Sequence, residues 1–280
     1  MSAYSIEVIA GLCGVNPVTL RAWQRYGLLN PVRNDKGQRF YNDEDLFQAH
    51  LILEWLSKGV PINQVRGIIA GEVDNIELGW QTQRKELCEL LDPPQPNKLR
   101  NLLWRFGREY PGRNLVNDIL RPIRKSLSSA KPAGWQQQAS VLDCAIIEYA
   151  TFALTTARKH SGARVLLVAW NNRSSIELWL ESIQLVSEGL RVELIPHPVS
   201  WPDLTQFEMD HYLLWSDKRL SEVQQALFDD WLKQGLPVML VGKVTQLKKK
   251  AATRAVAQRV GKLVTDGLRR EAQSSPQSET

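Results

Sequence analysis

Residues 16–31 read Asn-Pro-Val-Thr-Leu-Arg-Ala-Trp-Gln-Arg-Tyr-Gly-Leu-Leu-Asn-Pro, and they contain the start and the end of one short helix. Asn16 is placed to cap this helix through its side-chain oxygen, and Pro17 suits the first helical position, where an N–H has no partner in any case. Gly27 is typical of the residue that follows a helix end. An earlier helix, which closes near Gly14, completes a helix-turn-helix arrangement.

The segment that follows is typical of a small hairpin. Extended residues flank a turn signal of Asn, Asp, Lys and Gly at positions 34–37. Acidic residues at 43–45 then begin a third helix, which ends at Gly59, and a short fourth helix is expected over residues 62–69. We therefore assign residues 1–72 to a first domain.

Basic side chains concentrate on the second helix and the hairpin. Residues 14–42 hold five basic side chains against one acidic side chain, although residues 1–72 sum to a net charge of zero. Such a surface suits double-stranded DNA, because Arg and Lys pair with phosphates and a helix in the major groove can read base edges. On a helix, Thr19, Arg21 and Arg25 come within about one turn of one another near the exposed side. The alternative is an ordinary solvated helix face.

Three short motifs resemble the MerR family of winged helix-turn-helix transcription regulators. They are Val-Thr-Leu-Arg-Ala-Trp-Gln-Arg-Tyr-Gly-Leu-Leu at 18–29, Arg-Phe-Tyr-Asn at 39–42 and Asp-Leu at 45–46. More narrowly, the chain resembles the MlrA-like and CarA/CarH-like branch, which has a Trp in the second helix. The resemblance is specific over residues 3–72 and weaker to about residue 245. It implies a homodimer that binds an inverted repeat in a promoter and distorts the DNA between the half-sites.

The resemblance also implies which residues contact DNA. The recognition helix would carry Thr19, Arg21 and Arg25, and the wing would carry Arg33, Lys36, Arg39 and Tyr41, with Arg39 and Tyr41 gripping the DNA backbone. We add the capping residue of the recognition helix to this set. The candidate DNA-binding residues are therefore Asn16, Thr19, Arg21, Arg25, Arg33, Lys36, Arg39 and Tyr41.

In the rest of the chain the spacing of apolar residues changes twice, which predicts a multi-domain α and α/β protein. Residues 76–160 keep apolar residues at helical spacing and are expected to form a four-helix bundle. Residues 162–245 alternate strands with helices, which predicts a small, parallel, Rossmann-like α/β domain with strands at 164–170, 191–195, 212–215 and 237–241. The resemblance makes this domain a degenerate relative of a cobalamin-binding domain. Residues 246–280 form a basic tail of largely disordered composition.

The α/β part lacks the cobalt-binding signature of cobalamin-binding relatives, which read Asp-x-His-x-x-Gly. None of the four histidines has Asp two residues before it or Gly three residues after it. The three cysteines are too widely spaced for a thiolate metal site, and no nucleophile stands beside a base. We therefore expect no cofactor, no metal and no enzymatic activity, and an effector domain that senses a signalling or antagonist protein. The alternative is a regulator that binds cobalamin or another small molecule as its signal.

Composition and the lengths of apolar runs indicate to which broad class of protein the chain belongs. The chain has 280 residues, of which 43% are hydrophobic and 23% are charged, so it can bury proper cores. The longest unbroken apolar run, residues 165–170, is far shorter than the roughly 20 residues of a membrane span. The first residues do not resemble a signal peptide. These features predict a cytoplasmic protein without a membrane partner.

Overall fold

A computed structural model describes residues 4–33, 37, 39–73, 76, 78–130, 133–172, 174–243 and 245. Lys36 and the basic tail, residues 246–280, lie outside these residues, so what the sequence predicts for them stays a prediction. Helices form the N-terminal and middle parts, and a parallel sheet forms the C-terminal part. The expected order of an α part followed by an α/β part is confirmed.

The helix-turn-helix begins as its capping residues predict. Its two helices are α1 (Ile6–Cys13) and α2 (Pro17–Arg25). Gly14 closes α1 with a left-handed φ of 60°, a conformation that a side chain would disfavour. Asn16 then caps α2, because its Oδ1 accepts the N–H of Val18 at 2.9 Å, and Pro17 is the first residue of the helix.

The predicted hairpin is present as a short antiparallel pair, which we call the wing. Its strands are β1 (Val32–Arg33) and β2 (Arg39–Phe40). Arg33 lies directly opposite Arg39 in the register. Tyr41 follows β2 and pairs through its backbone with Tyr4, so the start of the chain anchors the wing.

Two further helices complete the first domain. They are α3 (Asp43–Ser57) and α4 (Ile62–Ile69), as predicted. A capping box starts α3, because Asn42 and Asp45 each accept the other's backbone N–H. The largest wholly buried side chains of this domain are Trp23, Tyr41, Ile9, Leu20, Ile52 and Leu56.

The middle part is helical, as the spacing of its apolar residues predicts. Its elements are α5 (Gln81–Glu89), α6 (Pro96–Glu109), α7 (Gly112–Asn114), a π-helix (Leu115–Leu120), α8 (Arg121–Ala130) and α9 (Trp135–Ala157). The short α7, the π-helix and α8 follow one another without a break. The apolar side chains of this part pack into the same buried cluster as those of the first domain.

Among the described residues, α9 alone is long and apolar enough to cross a membrane. A search for unbroken apolar runs finds residues 165–170 and does not find α9, because polar residues interrupt the apolar residues of this helix. A single helix of this kind is weak evidence for a membrane span. Its inner face contributes Leu142, Ile146 and Ala150 to the core that the first two domains share.

The C-terminal part is a four-stranded parallel sheet with the strand order β4-β3-β5-β6. The strands are β3 (Arg164–Asn171), β4 (Arg191–Ile195), β5 (His211–Ser216) and β6 (Val238–Val241). Helix α10 (Ile176–Ser187) follows β3, and helix α11 (Glu222–Lys233) connects β5 to β6. The four predicted strands are confirmed to within one residue at each end.

Candidate nucleic-acid interface

Helix α2 separates buried apolar residues from exposed arginines. Leu20 and Trp23 are wholly buried, as their apolar character predicts. Arg21 and Arg25 are exposed and stand four residues apart, so their side chains lie on the same face of the helix. No carboxylate of the described part of the chain forms an ion pair with either guanidinium. This face therefore presents two cations to solvent.

The exposed position expected for Thr19 is wrong. Only 3% of Thr19 is exposed. Position 19 is one turn before Trp23 and therefore shares the side of α2 that packs into the core. Thr19 cannot reach a ligand on the outer face of the helix in this conformation.

The wing holds two arginines against each other. Arg33 is exposed and Arg39 is half-buried, and the two residues are paired across the strands. Like charges at directly opposite positions of an antiparallel pair repel each other. Within the described residues, neither guanidinium has an ion-pair partner that would offset this repulsion. An anion bound between the two guanidinium groups would offset this repulsion.

Tyr41 has a different surrounding from the one that a grip on the DNA backbone needs. Its side chain is 1% exposed, and its hydroxyl accepts a hydrogen bond from the Nε2 of Gln24. Burial raises the pKa of the Tyr41 phenol, while the positive charges of Arg39 and Arg21 oppose this rise. The structure thus gives Tyr41 a contact within the protein, which joins the wing to α2, and its grip on the DNA backbone stays a prediction.

The acidic residues after the wing are used within the first domain. The Tyr4 hydroxyl donates to Asp43 at 2.7 Å, and Asp45 accepts the backbone N–H of Asn42 at 3.0 Å. Both carboxylates lie in the first turn of α3, where the helix dipole favours negative charge. Neither carboxylate forms an ion pair with a described arginine of α2 or the wing.

Two hydrogen bonds tie α2 to the middle part of the chain. The indole Nε1 of Trp23 donates to the backbone oxygen of Glu109 at 3.1 Å, and the Tyr26 hydroxyl donates to Oε1 of Glu109 at 2.5 Å. Burial raises the pKa of Tyr26 to about 12, and the Glu109 carboxylate adds to this rise. Sequence reasoning missed Glu109, because a single acid at the end of an amphipathic helix has no signal that assigns it a distant partner.

A second site is a cavity of about 910 Å³ between the helical part and the carboxyl ends of β5 and β6. Ligands of open α/β sheets bind at this edge. Trp135, Trp215 and Lys243 contribute to the wall, together with Arg121 and Glu181. Burial raises the pKa of the Glu181 carboxyl, although Arg121 opposes the rise. No histidine lies in the described wall, so these residues do not fit cobalamin held through a histidine–cobalt bond.

Three segments of the chain match known protein families in succession. Residues 4–72 match "MerR HTH family regulatory protein". Residues 80–155 match "Transcriptional regulator MlrA, helical domain", and residues 162–238 match "Transcriptional regulator MlrA, C-terminal domain". The matches therefore cover the helix-turn-helix region, the helical part and the sheet.

Individual relatives agree with these matches. The HTH-type transcriptional regulator MlrA of Escherichia coli (strain K12) is 33% identical over 243 residues, which are 86% of this chain and 100% of that protein. MlrA of Salmonella typhimurium (strain SL1344) is 32% identical over the same shares of both chains. The HTH-type transcriptional repressor CarH of Myxococcus xanthus is 32% identical over 75 residues, 26% of this chain and 25% of that protein. The similarity to MlrA is thus the more extensive one.

Proposed function

This chain belongs to the MerR family of helix-turn-helix transcription regulators, with the helical and C-terminal domains of MlrA, and from that premise we propose that it binds a promoter as a homodimer through α2 and the wing. The resemblance of residues 18–29 to this family is confirmed. The homologues are transcriptional regulators and not enzymes, as expected.

Four arginines of α2 and the wing, which have no ion pair within the described residues, carry the proposal. Helix α2 enters the major groove, where Arg21 and Arg25 contact base edges or phosphates. Arg33 and Arg39 hold a phosphate of the neighbouring backbone, which relieves their mutual repulsion. Lys36 adds a further basic group to the wing, and Asn16 lies at the end of α2 that approaches the bases. Tyr41 positions the wing, and Thr19 supports α2 from the core.

The dimer is what membership of the family implies. Two copies related by a twofold axis place two recognition helices on half-sites about one helical turn apart, or a multiple of it, and the operator is then an inverted repeat. We assign residues 1–72 to DNA binding, 76–160 to a four-helix bundle, 162–245 to the effector domain and 246–280 to a basic tail. The protein acts in the cytoplasm, where its promoter lies.

Replacement of Arg39 tests the DNA interface. Genome-wide mapping of binding sites first supplies an operator, and the affinity for that duplex and for a scrambled duplex is then measured over a range of salt concentrations. We expect Arg39→Ala to weaken binding to both duplexes by a similar factor and to lower the slope of log affinity against log salt by about one. Arg219→Ala, an exposed arginine of the C-terminal part, is the control. A loss confined to the operator would refute the phosphate contact.

For the effector domain we propose a degenerate relative of the cobalamin-binding domain that responds to a partner protein. The absence of the Asp-x-His-x-x-Gly signature supports this proposal. The second candidate is a small-molecule sensor, which the cavity of about 910 Å³ favours. Purified protein mixed with adenosylcobalamin and passed through a desalting column distinguishes a cobalamin sensor from a cofactor-free domain. We expect no visible absorbance to elute with the protein, and a stable spectrum would contradict the proposal.

A further inference from the structure

Helix α2 has two flanks, and a different neighbour holds each of them. On one flank, the Nε2 of Gln24 donates to the Tyr41 hydroxyl and joins α2 to the wing. On the other flank, Ala22 and Tyr26 line a recess that α2 shares with α6. At 3.6 residues per turn, Gln24 is nearly opposite these two residues, and the exposed arginines of α2 lie between the flanks.

The recess between α2 and α6 is basic. It has a volume of about 410 Å³, and its wall includes Arg25, Arg105, Arg108 and a single acid, Glu109. Glu109 already accepts a hydrogen bond from Tyr26. Arg105 pairs with Glu86. Arg108 is exposed and, like Arg25, has no ion pair with any residue that the structure describes.

The dimensions of the major groove indicate which part of the DNA would lie beside this recess. The major groove is about 12 Å wide, and an α-helix with its side chains is about 10–12 Å in diameter, so a helix in the groove has a phosphate strand on each side. The wing lies on one side of α2, and α6 lies on the other. We propose that Arg108, at the C-terminal end of α6, binds the DNA backbone on the side of α2 opposite the wing.

The connection between α2 and α6 keeps this guanidinium in place. Arg108 immediately precedes Glu109, whose backbone oxygen and carboxylate accept hydrogen bonds from Trp23 of α2 and from Tyr26, the residue directly after α2. The position of Arg108 relative to the recognition helix is therefore set by two hydrogen bonds and not by a loop. An arginine suits the role, because its planar guanidinium can make two parallel hydrogen bonds to one phosphate. The helical domain thereby becomes part of the DNA interface.

This inference rests on the proposed function, since it requires α2 to enter the major groove, and salt-dependent binding of the full chain tests it. Arg108→Ala, Arg108→Lys and Arg39→Ala are compared with wild type on a labelled operator duplex recovered by genome-wide mapping. Lys98→Ala is the matched control, because Lys98 is an exposed cation of the same helix, about 15 Å along its axis from Arg108. Melting temperatures establish that each variant is folded.

We expect Arg108→Ala to lower the slope of log affinity against log salt by about 0.9, as the loss of one phosphate contact requires. Arg108→Lys keeps the charge and retains most of the slope, and Lys98→Ala retains all of it. One outcome would refute the contact between Arg108 and the DNA backbone but leave the proposed function standing. In that outcome Arg39→Ala lowers the slope, and the slope of Arg108→Ala equals that of wild type or of Lys98→Ala. If wild type shows no salt-dependent binding to the mapped duplex, the proposed function fails and this inference fails with it.

Discussion

Glu109 makes two of the hydrogen bonds that join the DNA-binding domain to the helical part. Its backbone and its carboxylate accept them from Trp23 and Tyr26, and only 7% of the residue is exposed. Burial raises the pKa of the Glu109 carboxyl, while the hydrogen bond from Tyr26 and the charge of Arg105 oppose this rise. The folded protein therefore binds a proton at Glu109 more tightly than the unfolded chain does.

Replacement of Glu109 by glutamine changes how stability depends on pH. With a raised pKa in the folded state, the contribution of Glu109 is fully present below its ordinary pKa of 4.5 and is lost as the pH rises through the folded value. The glutamine side chain has no charge to bury and can still accept a hydrogen bond from Tyr26. We therefore expect the free energy of unfolding of Glu109→Gln, relative to wild type, to increase from acidic to neutral pH, as measured by urea titrations across that range.

Glu208→Gln is the control for this measurement, because Glu208 is an exposed acid of a loop. The change in unfolding free energy with pH is compared between Glu109→Gln, this variant and wild type. Parallel curves for Glu109→Gln and wild type would show that burial does not affect the carboxyl, and the explanation given for the junction would then be wrong.

Individual site residues could be predicted where their surroundings are local. Arg21 and Arg25 are exposed, as expected, because the residues that bury the other side of α2 lie on the same helix. The exposure of Tyr41 depends on Gln24 and Tyr4, which are distant in sequence, so the pattern at 39–41 could not reveal it. Glu109 acquires its role only when α6 packs against α2, and no local signal marks it.

At the scale of elements, α6 and α9 approach each other at Gly107. A Cβ atom on Gly107 would overlap both the Tyr149 hydroxyl oxygen and its ring carbon Cζ, far inside van der Waals contact. Both atoms belong to the end of an aromatic ring packed between the helices. The glycine is therefore required by the close approach, although it lies inside a helix, where glycine is unfavourable.

We expect Gly107→Ala to destabilise the protein by about 1–2 kcal/mol. Alanine is the better helix former by about 1 kcal/mol, but overpacking of a filled interface costs about 1–3 kcal/mol and the overlap with Tyr149 is severe. Gly11→Ala is the matched control, since Gly11 also lies inside a helix and a Cβ there would meet nothing within 4 Å. Chemical denaturation should show a small gain for Gly11→Ala, and a gain for both variants would contradict the close approach.

The elements themselves were largely predictable from the sequence, because caps and apolar spacing are local. Ser5, Asn16 and Gly14 mark the ends of α1 and α2 where the structure has them. The π-helix at Leu115–Leu120 was not predicted. Four of its six residues are wholly buried, so packing on several sides governs its geometry, and helical periodicity in the sequence does not distinguish it from an α-helix.

At the scale of the whole molecule, α10 unites the three parts. Its residues Ile176, Leu180 and Ile183 join the buried cluster that runs from α1 through the helical part. Leu178 and Val186 of the same helix pack on the sheet. The helical part and the sheet are therefore in direct contact through α10.

The sequence predicted separate domains but could not predict this continuity. The stripe of Ile176, Leu180 and Ile183 has ordinary helical spacing, which does not show what this face of α10 packs against. A second apolar face acquires meaning only when its partner is known. The spacing of the acidic residues Glu177 and Glu181 is typical of a solvated face, but both carboxylates reach across to arginines of α8.

Glu177 is the centre of that ionic contact, and its replacement tests how firmly the sheet is held. Its carboxylate accepts hydrogen bonds from Nε of Arg121 at 3.1 Å and from Nη1 of Arg124 at 3.4 Å. Only 16% of the Glu177 side chain is exposed. We expect Glu177→Gln to lower the free energy of unfolding by about 1–2 kcal/mol, between the values of exposed and buried ion pairs. Glu148→Gln, which breaks an exposed pair with Arg100, should lower the free energy of unfolding by clearly less than Glu177→Gln does. Because one core spans the parts, both variants should unfold in a single transition in urea. Equal losses of unfolding free energy in the two variants, or an early separate transition, would show that the helical part and the sheet are coupled more weakly than their packing indicates.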